Sequence, residues 1–306
     1  MYPKKQRPAI DRHRLALRVK PLSNRISKSH KILEGLRIMT GVSGFYTSQY
    51  RRFSSELAAE IRREVYEVDI GQQGWRTIAE QGEIADFLRL GKDSHVLDVA
   101  CGSGLPSLAL VEQSGCRLTG LDIEADGITH ANAEASARSL ADRARFALFD
   151  GNTRLPFEDD SFDAVLCIDA IIHLKDRFET LVDWARVIRK GGRLLFTDSA
   201  VITGAVAKNE LDIRATTGFF LLVPPGLDQA AIAAAGLTLL ASEDRSDATA
   251  LIAARWYDAR LGHAAELEQL EGSERFAQLQ RYYATAAELA ASRRLSRILY
   301  LAEKPS

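Results

Sequence analysis

Three cysteines in 306 residues, Cys101, Cys116 and Cys167, stand far apart and in no Cys-x-x-Cys spacing. That scarcity excludes a disulfide scaffold and a cysteine-built zinc site. It points to a reducing compartment, with a cytoplasmic location as the expectation. No apolar run approaches the roughly 18–20 residues needed to span a bilayer, so a membrane-spanning helix is excluded. Net charge is nearly absent, at −1, and 46% of residues are hydrophobic. This is the balance of a globular protein, long enough for one large α/β domain or a domain with a cap. No internal repeat or low-complexity tract is evident. Glycine is missing where a dinucleotide site would require it: after Gly102 and Gly104, the third glycine position of Gly-x-Gly-x-x-Gly is Ser107.

The most informative stretch is His95 to Pro106, where an apolar run ends on Asp98, passes through a turn containing Gly102 and Gly104, and opens a helix. Glycine lets backbone come close to a ligand, and a helix N-terminus presents free N–H groups there. Asp98 in that turn would repel a pyrophosphate and suits a cationic ligand. Arg117 to Asp122 reads as a second strand ending on an acid, 24 residues after Asp98. An acid so placed in an open α/β sheet can accept both ribose hydroxyls, or can simply cap the helix starting near Ala125. Ala144 to Gly151 is a third strand ending at Asp150, and Ser161 to Asp169 a fourth. Val187 to Asp198 gives a helix end, a Gly-Gly stop and a fifth strand.

These five strand-end signals, in this order, resemble the class I S-adenosylmethionine-dependent methyltransferases, whose first motif runs Asp-x-Gly-x-Gly-x-Gly. Two departures stand out: Ala100 replaces the first glycine, and Pro106 falls near the third. The resemblance implies an α/β fold, a Rossmann-like seven-stranded mixed sheet with helices on both faces and a helical cap. It implies S-adenosyl-L-methionine as cofactor and no metal. Its expected contacts are Asp98, Ala100, Cys101, Gly102, Gly104, Asp122, Ile123, Asp150, Gly151 and Asp169, with Gln73, Gly74 and Trp75 closing over the methionine end. Asp150 would take the adenine amino group, although a turn role for it stays open. A packed anchor is the alternative for Trp75.

The acceptor side is marked by Asp169-Ala170-Ile171-Ile172-His173-Leu174. It resembles a run in phosphoethanolamine N-methyltransferases, in which the histidine works with a tyrosine from the N-terminal segment. A nitrogen nucleophile must shed a proton, and imidazole ordinarily titrates near neutral pH. His173 and Asp169 are therefore the catalytic candidates, with Tyr50, or Tyr46, supplying a hydroxyl and an aromatic face. Asp169 and His173 would share one face if the residues between them form a helical turn. No Lys/Arg cluster suited to phosphate is visible nearby, so the acceptor is left as a small molecule reacting at N, O or C. The Asn/Asp-Pro-Pro-Tyr/Phe signature is absent after the fourth strand, and Val223-Pro224-Pro225-Gly226 lies in the wrong place. That disfavours DNA and protein-glutamine substrates. Cys167, inside an apolar strand, reads as core rather than as a nucleophile.

Charge is unevenly spread. Residues 1–38 hold eleven Lys/Arg and two acids, a formal +9, leaving −10 for the rest. This stretch lacks an apolar period and reads as a disordered basic extension. A nucleic-acid arm, a targeting peptide, a solvated tail and sequence upstream of a start at Met39 all remain open. The expected methyltransferase domain covers 39–246 and 293–306, with a helical cap at 247–292. Residues 218–226 form an apolar connection or lid. Two rival functions stay in view, an NAD(P)-dependent oxidoreductase and a non-catalytic nucleic-acid-binding protein using the basic segment. Ser107 and Asp98 argue against the first, and a basic arm alone is poor support for the second.

Overall fold

In the computed structural model, which describes residues 44–306, a seven-stranded sheet has the order β3-β2-β1-β4-β5-β7-β6. The strands are β1 (His95–Val99), β2 (Arg117–Asp122), β3 (Ala144–Leu148), β4 (Phe162–Cys167), β5 (Ile188–Ile202), β6 (Thr238–Asp244) and β7 (Leu295–Glu303). β1 to β5 run parallel, and β7 is inserted antiparallel between β5 and β6. The basic extension assigned to residues 1–38 lies outside the described residues.

The helices are α1 (Gly44–Arg51), α2 (Glu56–Val65), α3 (Ile78–Phe87), α4 (Leu105–Ser114), α5 (Ala125–Ala137), α6 (Arg177–Val187), α7 (Lys208–Arg214), α8 (Leu227–Ala234), α9 (Ser246–Gly262), α10 (Ala264–Glu271) and α11 (Ser273–Ala291). The period-2 alternation of each strand sends side chains to opposite faces. Leu97, Val99 and Val165 pack with Leu181, Trp184 and Ile232 of α6 and α8 on one face. Val96, Leu118 and Ala164 pack with Ile84, Leu108 and Ala131 of α3, α4 and α5 on the other. A third apolar cluster joins Ile61 and Val65 of α2 to Ile252, Trp256, Leu279 and Tyr283 of α9 and α11. The stacked Trp256–Tyr283 rings, 5.5 Å apart, sit within it.

The chain breaks between α1 and α2 at residues 52–55, where Ser55 caps the new helix by accepting from Ala58 N–H. One boundary differs from the sequence reading. Gly191-Gly192 does not precede the fifth strand but lies inside it, paired with Lys304 through Gly191 N–H and Gly192 C=O. A Cβ on Gly192 would fall 2.6 Å from Asp163 O, so only glycine allows that approach of β4. The 247–292 stretch forms α9, α10 and α11, between β6 and β7.

Candidate active site

Parallel strands bring their carboxyl ends to one edge of the sheet, where the loops of a doubly wound fold leave a crevice. Asp98 pairs in register with Gly120 on β2 and Leu166 on β4, and Asp122 with Leu148 on β3. Asp150 and Asp169 follow two residues after β3 and β4. All four acids therefore stand along one edge. Ala100, Gly102 and Gly104 turn the chain from β1 into α4 with φ of 61°, 62° and 72°. At Gly104 a Cβ would lie 2.4 Å from that of Ala131, so the turn packs too tightly on α5 for any side chain. Cys101 is buried beneath the turn, its N–H bonded to Leu121 O at 3.0 Å. Gly151 lies against Leu174 and Val99.

Asp122 accepts Gly102 N–H and Glu124 N–H, each at 2.8 Å, one on each carboxylate oxygen. Lone pairs of the carboxylate are thus left for a ligand. Burial, joined by the Glu124 charge and opposed by backbone N–H groups of Glu124, Gly102 and Ile123, pushes its carboxyl up to about 6. Asp98 accepts from Ser107 Oγ at 2.5 Å, and burial likewise raises it to about 6. Ile123 is half-buried beside Asp122. Asp150 Oδ1 accepts from Asn152 N and Nδ2 in an Asx turn, and Oδ2 has no hydrogen bond among the described residues.

The Asp69–Trp75 loop lies across the turn: Ser103 Oγ donates to Gly71 O at 2.9 Å, and Gly71 rests on Leu105. Gln73 keeps a buried Oε1 with no hydrogen bond. The Trp75 ring stacks on Tyr282 at 6.4 Å, while its backbone N–H donates to Asp169 Oδ2 at 2.7 Å. Arg76, not singled out from the sequence, faces Asp98 and Asp169 and retains a buried Nε without a hydrogen bond. A buried donor of this kind suits the carboxylate of an amino-acid ligand.

Asp169 is fully engaged. Its Oδ1 pairs with Arg297 Nε at 2.6 Å and accepts from Thr197 Oγ1 at 2.8 Å, while Oδ2 holds the Trp75 N–H. Arg297 reaches on to Glu80 at 2.7 Å. Glu80 also closes the capping box of α3 with Thr77. Asp169 has φ 57°, and the following residues make a 3-10 turn at Ile171–His173 rather than a helical turn. The i,i+4 pairing of Asp169 with His173 is therefore not formed.

His173 instead meets a distant tyrosine. The Tyr46 hydroxyl lies 3.0 Å from Nε2, and Nδ1 is 2.8 Å from Phe219 O. A carbonyl only accepts, so Nδ1 carries the proton, and Tyr46 O–H donates to Nε2. Burial is the main cause that pushes the imidazole down to about 4, with Arg214 and Arg177 adding to it and the Phe219 bond opposing it. Its ionisation thus falls well below the neutral range expected from the sequence. Tyr50, the tyrosine chosen there, faces the other way: a Cβ on Gly102 would lie 2.4 Å from its hydroxyl, and Asp122 acts on it electrostatically. Spacing alone could not separate the two, since residues four apart lie on nearly the same helix face and the packing of α1 decides which one meets the histidine. The 218–226 connection covers the His173 turn through Phe219 O and through Leu221 N–H to Ile172 O at 2.7 Å.

Two further features lie apart from the strand ends. A cavity of about 520 Å³ opens between α1–α2 and α9–α11, lined among others by Phe45, Arg52, Trp256, Arg260 and Tyr283. Glu60, Glu64 and His263 form a partly exposed cluster of metal-ligand type on the helical layer. Cys167 is fully buried in β4. Among the described residues no helix is long and apolar enough to cross a membrane.

Residues 97–196 match a family described as a methyltransferase domain. Methyltransferase GfsG of Streptomyces halstedii is 35% identical over 129 residues, 40% of this chain and 46% of that protein. The 27-O-demethylrifamycin SV methyltransferase of Amycolatopsis mediterranei is 31% identical over 169 residues, 54% of this chain and 62% of that protein. The chain thus spans about half the length of these curated relatives. In fold it is similar to phosphoethanolamine N-methyltransferase 2 of Haemonchus contortus, solved with phosphomonomethylethanolamine and S-adenosylhomocysteine. The TM-score is 0.71 at 16% identity, covering 87% of this chain and 61% of that one. With the strand-end acids, the glycine turn and the sheet order in place, residues 97–196 are similar to a methyltransferase domain, and the sheet around them has the fold of S-adenosylmethionine-dependent methyltransferases.

Proposed function

We propose that this chain transfers a methyl group from S-adenosyl-L-methionine to a small-molecule acceptor held beside Tyr46 and His173. The observation that carries the reading is the pairing of two sites on one sheet edge: the buried Asp98–Asp122 turn, and the Tyr46–His173 hydrogen bond just past β4.

The cofactor supplies an electrophilic methyl group on a sulfonium. Asp122 would hold the ribose hydroxyls through its unused lone pairs, and Asp150 Oδ2 is free to accept from adenine. Arg76 would pair with the amino-acid carboxylate, and Asp98, raised by burial, gains from a neighbouring ammonium. Ala100, Cys101, Gly102, Gly104, Ile123 and Gly151 would offer backbone, and Gln73 its unbonded amide oxygen. Trp75 and Asp169 act as ties: Asp169 binds the loop carrying Gln73 and Trp75 to the end of β4.

On the acceptor side, His173 stands as a neutral imidazole at pH 7, ready to take a proton at Nε2, either directly or by way of the Tyr46 hydroxyl. Most of the rate would come from positioning the nucleophile in a shielded site. The acceptor atom is N, O or C. Neither a metal nor a nucleic acid is required by this reading, and three unpaired, buried thiols suit the cytoplasm. Calorimetric titration with S-adenosylhomocysteine and NAD tests it: binding of the first and not the second is expected, and the reverse would favour an oxidoreductase.

A further inference from the structure

Arg214 ends α7 and is 3% exposed, yet its Nε and Nη1 make no hydrogen bond. Apart from the half-buried Arg76 at the cofactor turn, the other buried arginines behave differently. Arg62 holds Asp69, Arg177 holds Asp198 and Asp228, Arg193 holds Glu303, Arg260 holds Glu271, and Arg297 holds Glu80 and Asp169. No carboxylate among the described residues pairs with Arg214. A desolvated guanidinium in that condition is a standing cost to the fold, and one that an incoming anion relieves.

Its surroundings are aromatic. The guanidinium carbon lies 4.7 Å from the Tyr282 ring centroid, 5.4 Å from Phe220 and 5.7 Å from Trp75. Ring faces soften the charge but leave the N–H donors unused. Phe220 also touches His173, edge-on, with centroids 5.1 Å apart. One ring thus separates the unpaired cation from the Tyr46–His173 pair. Asp169, the acid past β4, is already matched by Arg297. The acceptor side is therefore left with net positive charge, the opposite of what an ammonium-bearing acceptor would need.

The geometry points to Arg214 as the specificity residue: the acceptor is an apolar or aromatic small molecule bearing a carboxylate or phosphate, whose oxyanion pairs with this guanidinium while its nucleophile faces Tyr46 and His173. This rests on the reading of that pair as the acceptor site. A planar guanidinium fits either oxyanion with two parallel bonds, which a lysine ammonium cannot copy.

The test uses full-length protein saturated with S-adenosylhomocysteine and three probes of one shape, benzoate, phenyl phosphate and benzamide, by calorimetry. At least one anion should bind about tenfold or more tightly than benzamide, as a charge-assisted pair requires. Preference for benzoate alone assigns a carboxylate acceptor, and preference for phenyl phosphate alone a phosphorylated one. Arg214→Gln should abolish the preference while leaving benzamide and S-adenosylhomocysteine affinity in place, and Arg214→Lys should keep part of it. The melting temperature of Arg214→Gln should equal or exceed that of the parent, since an unmatched charge is removed. Equal binding of the three probes, a preference that survives Arg214→Gln, or a fall in melting temperature would overturn the assignment. Loss of S-adenosylhomocysteine binding by the parent protein would instead sink the methyl-transfer reading, and the acceptor role with it, even if an anion preference remained.

Discussion

Asp98, Asp122 and Asp150 reach the cleft from the ends of consecutive parallel strands, each held by hydrogen bonds to residues close in the chain or in the adjoining turn. Tyr46 and His173 meet across 127 residues, and Arg214 arrives from a third segment beyond β5. A cofactor end made of local turns can be inherited as a motif, whatever surrounds it. An acceptor end made by long-range packing depends on how α1, α7 and the 218–226 connection settle on the sheet. The first half of the proposed site is thus fixed by local sequence, and the second by long-range packing.

The sharpest way to break this division is at Asp169, which sits on the boundary. Its carboxylate carries Arg297, Thr197 and the Trp75 N–H, so Asp169→Ala leaves a buried arginine with one partner fewer and an N–H with none. Breaking one side of a buried pair costs about 3–5 kcal/mol. A large drop in stability to chemical denaturation is expected. A stable Asp169→Ala with lost turnover would restore Asp169 to the chemistry.

Next comes the acceptor end itself. His173→Ala should lower turnover about a hundredfold or more, with S-adenosylhomocysteine affinity unchanged. Because burial holds the imidazole down at about 4, the base form is already complete at neutral pH. The rate should be flat between about pH 6 and 8 and fall only in acid, as the imidazole protonates. A rate climbing through pH 7 would mean that a different group, or a His173 more hydrated than this one, takes the proton. Tyr46→Phe should share the loss if the hydroxyl relays the proton, and Tyr50→Phe should not.

At the cofactor end, Asp122→Ala should weaken S-adenosylhomocysteine binding about tenfold to a hundredfold, the worth of a charge-assisted bidentate contact. An unchanged Kd would remove Asp122 from the site. A proton linkage sharpens the point. Asp98 and Asp122 are both raised to about 6 by burial. In the unliganded protein the stability they contribute is present below their unfolded value near 4 and is lost as pH rises through 6. Donors from a ligand favour the ionised forms. Binding should therefore release protons near pH 6, release none at pH 8, and weaken by up to about tenfold per pH unit per group below 6. Calorimetry in two buffers of different ionisation enthalpy reads this directly.

The contrast between the two ends also explains what the residues disclosed. The line of acids at the sheet edge follows from short apolar runs ended by Asp and Gly, signals that sit within a few residues of what they specify, while the mixed sheet follows from the family resemblance those signals carry. The helical character of residues 247–292 was legible too, and the structure divides that stretch into three helices. Tyr46 against Tyr50 was not, because the choice turns on a helix rotation fixed by packing. Arg76 and Arg214 were invisible for the same reason: an arginine looks alike in any window, and only tertiary structure shows which ones lack a carboxylate. The ion pair of Asp169 was not legible either, since an acid at a strand end looks like its neighbours' and its partner Arg297 is 128 residues away.

The smallest effect tests the cofactor turn where it departs from the family pattern. Ala100 occupies the place of the first motif glycine and still adopts φ 61°. A left-handed alanine costs about 1–2 kcal/mol against the Cβ–carbonyl clash. Replacing it by glycine removes that strain but frees the unfolded chain, which costs roughly 0.4–1 kcal/mol. Ala100→Gly should therefore gain about 0.5 kcal/mol in stability, with cofactor affinity unchanged, because the turn already has the glycine geometry. Ala100→Val should go the other way, losing more than that amount, since a branched side chain tolerates positive φ worst. If Ala100→Gly instead destabilised the fold and weakened S-adenosylhomocysteine binding together, the alanine methyl would be a packing element of this turn. The cofactor end would then be less interchangeable than its motif implies.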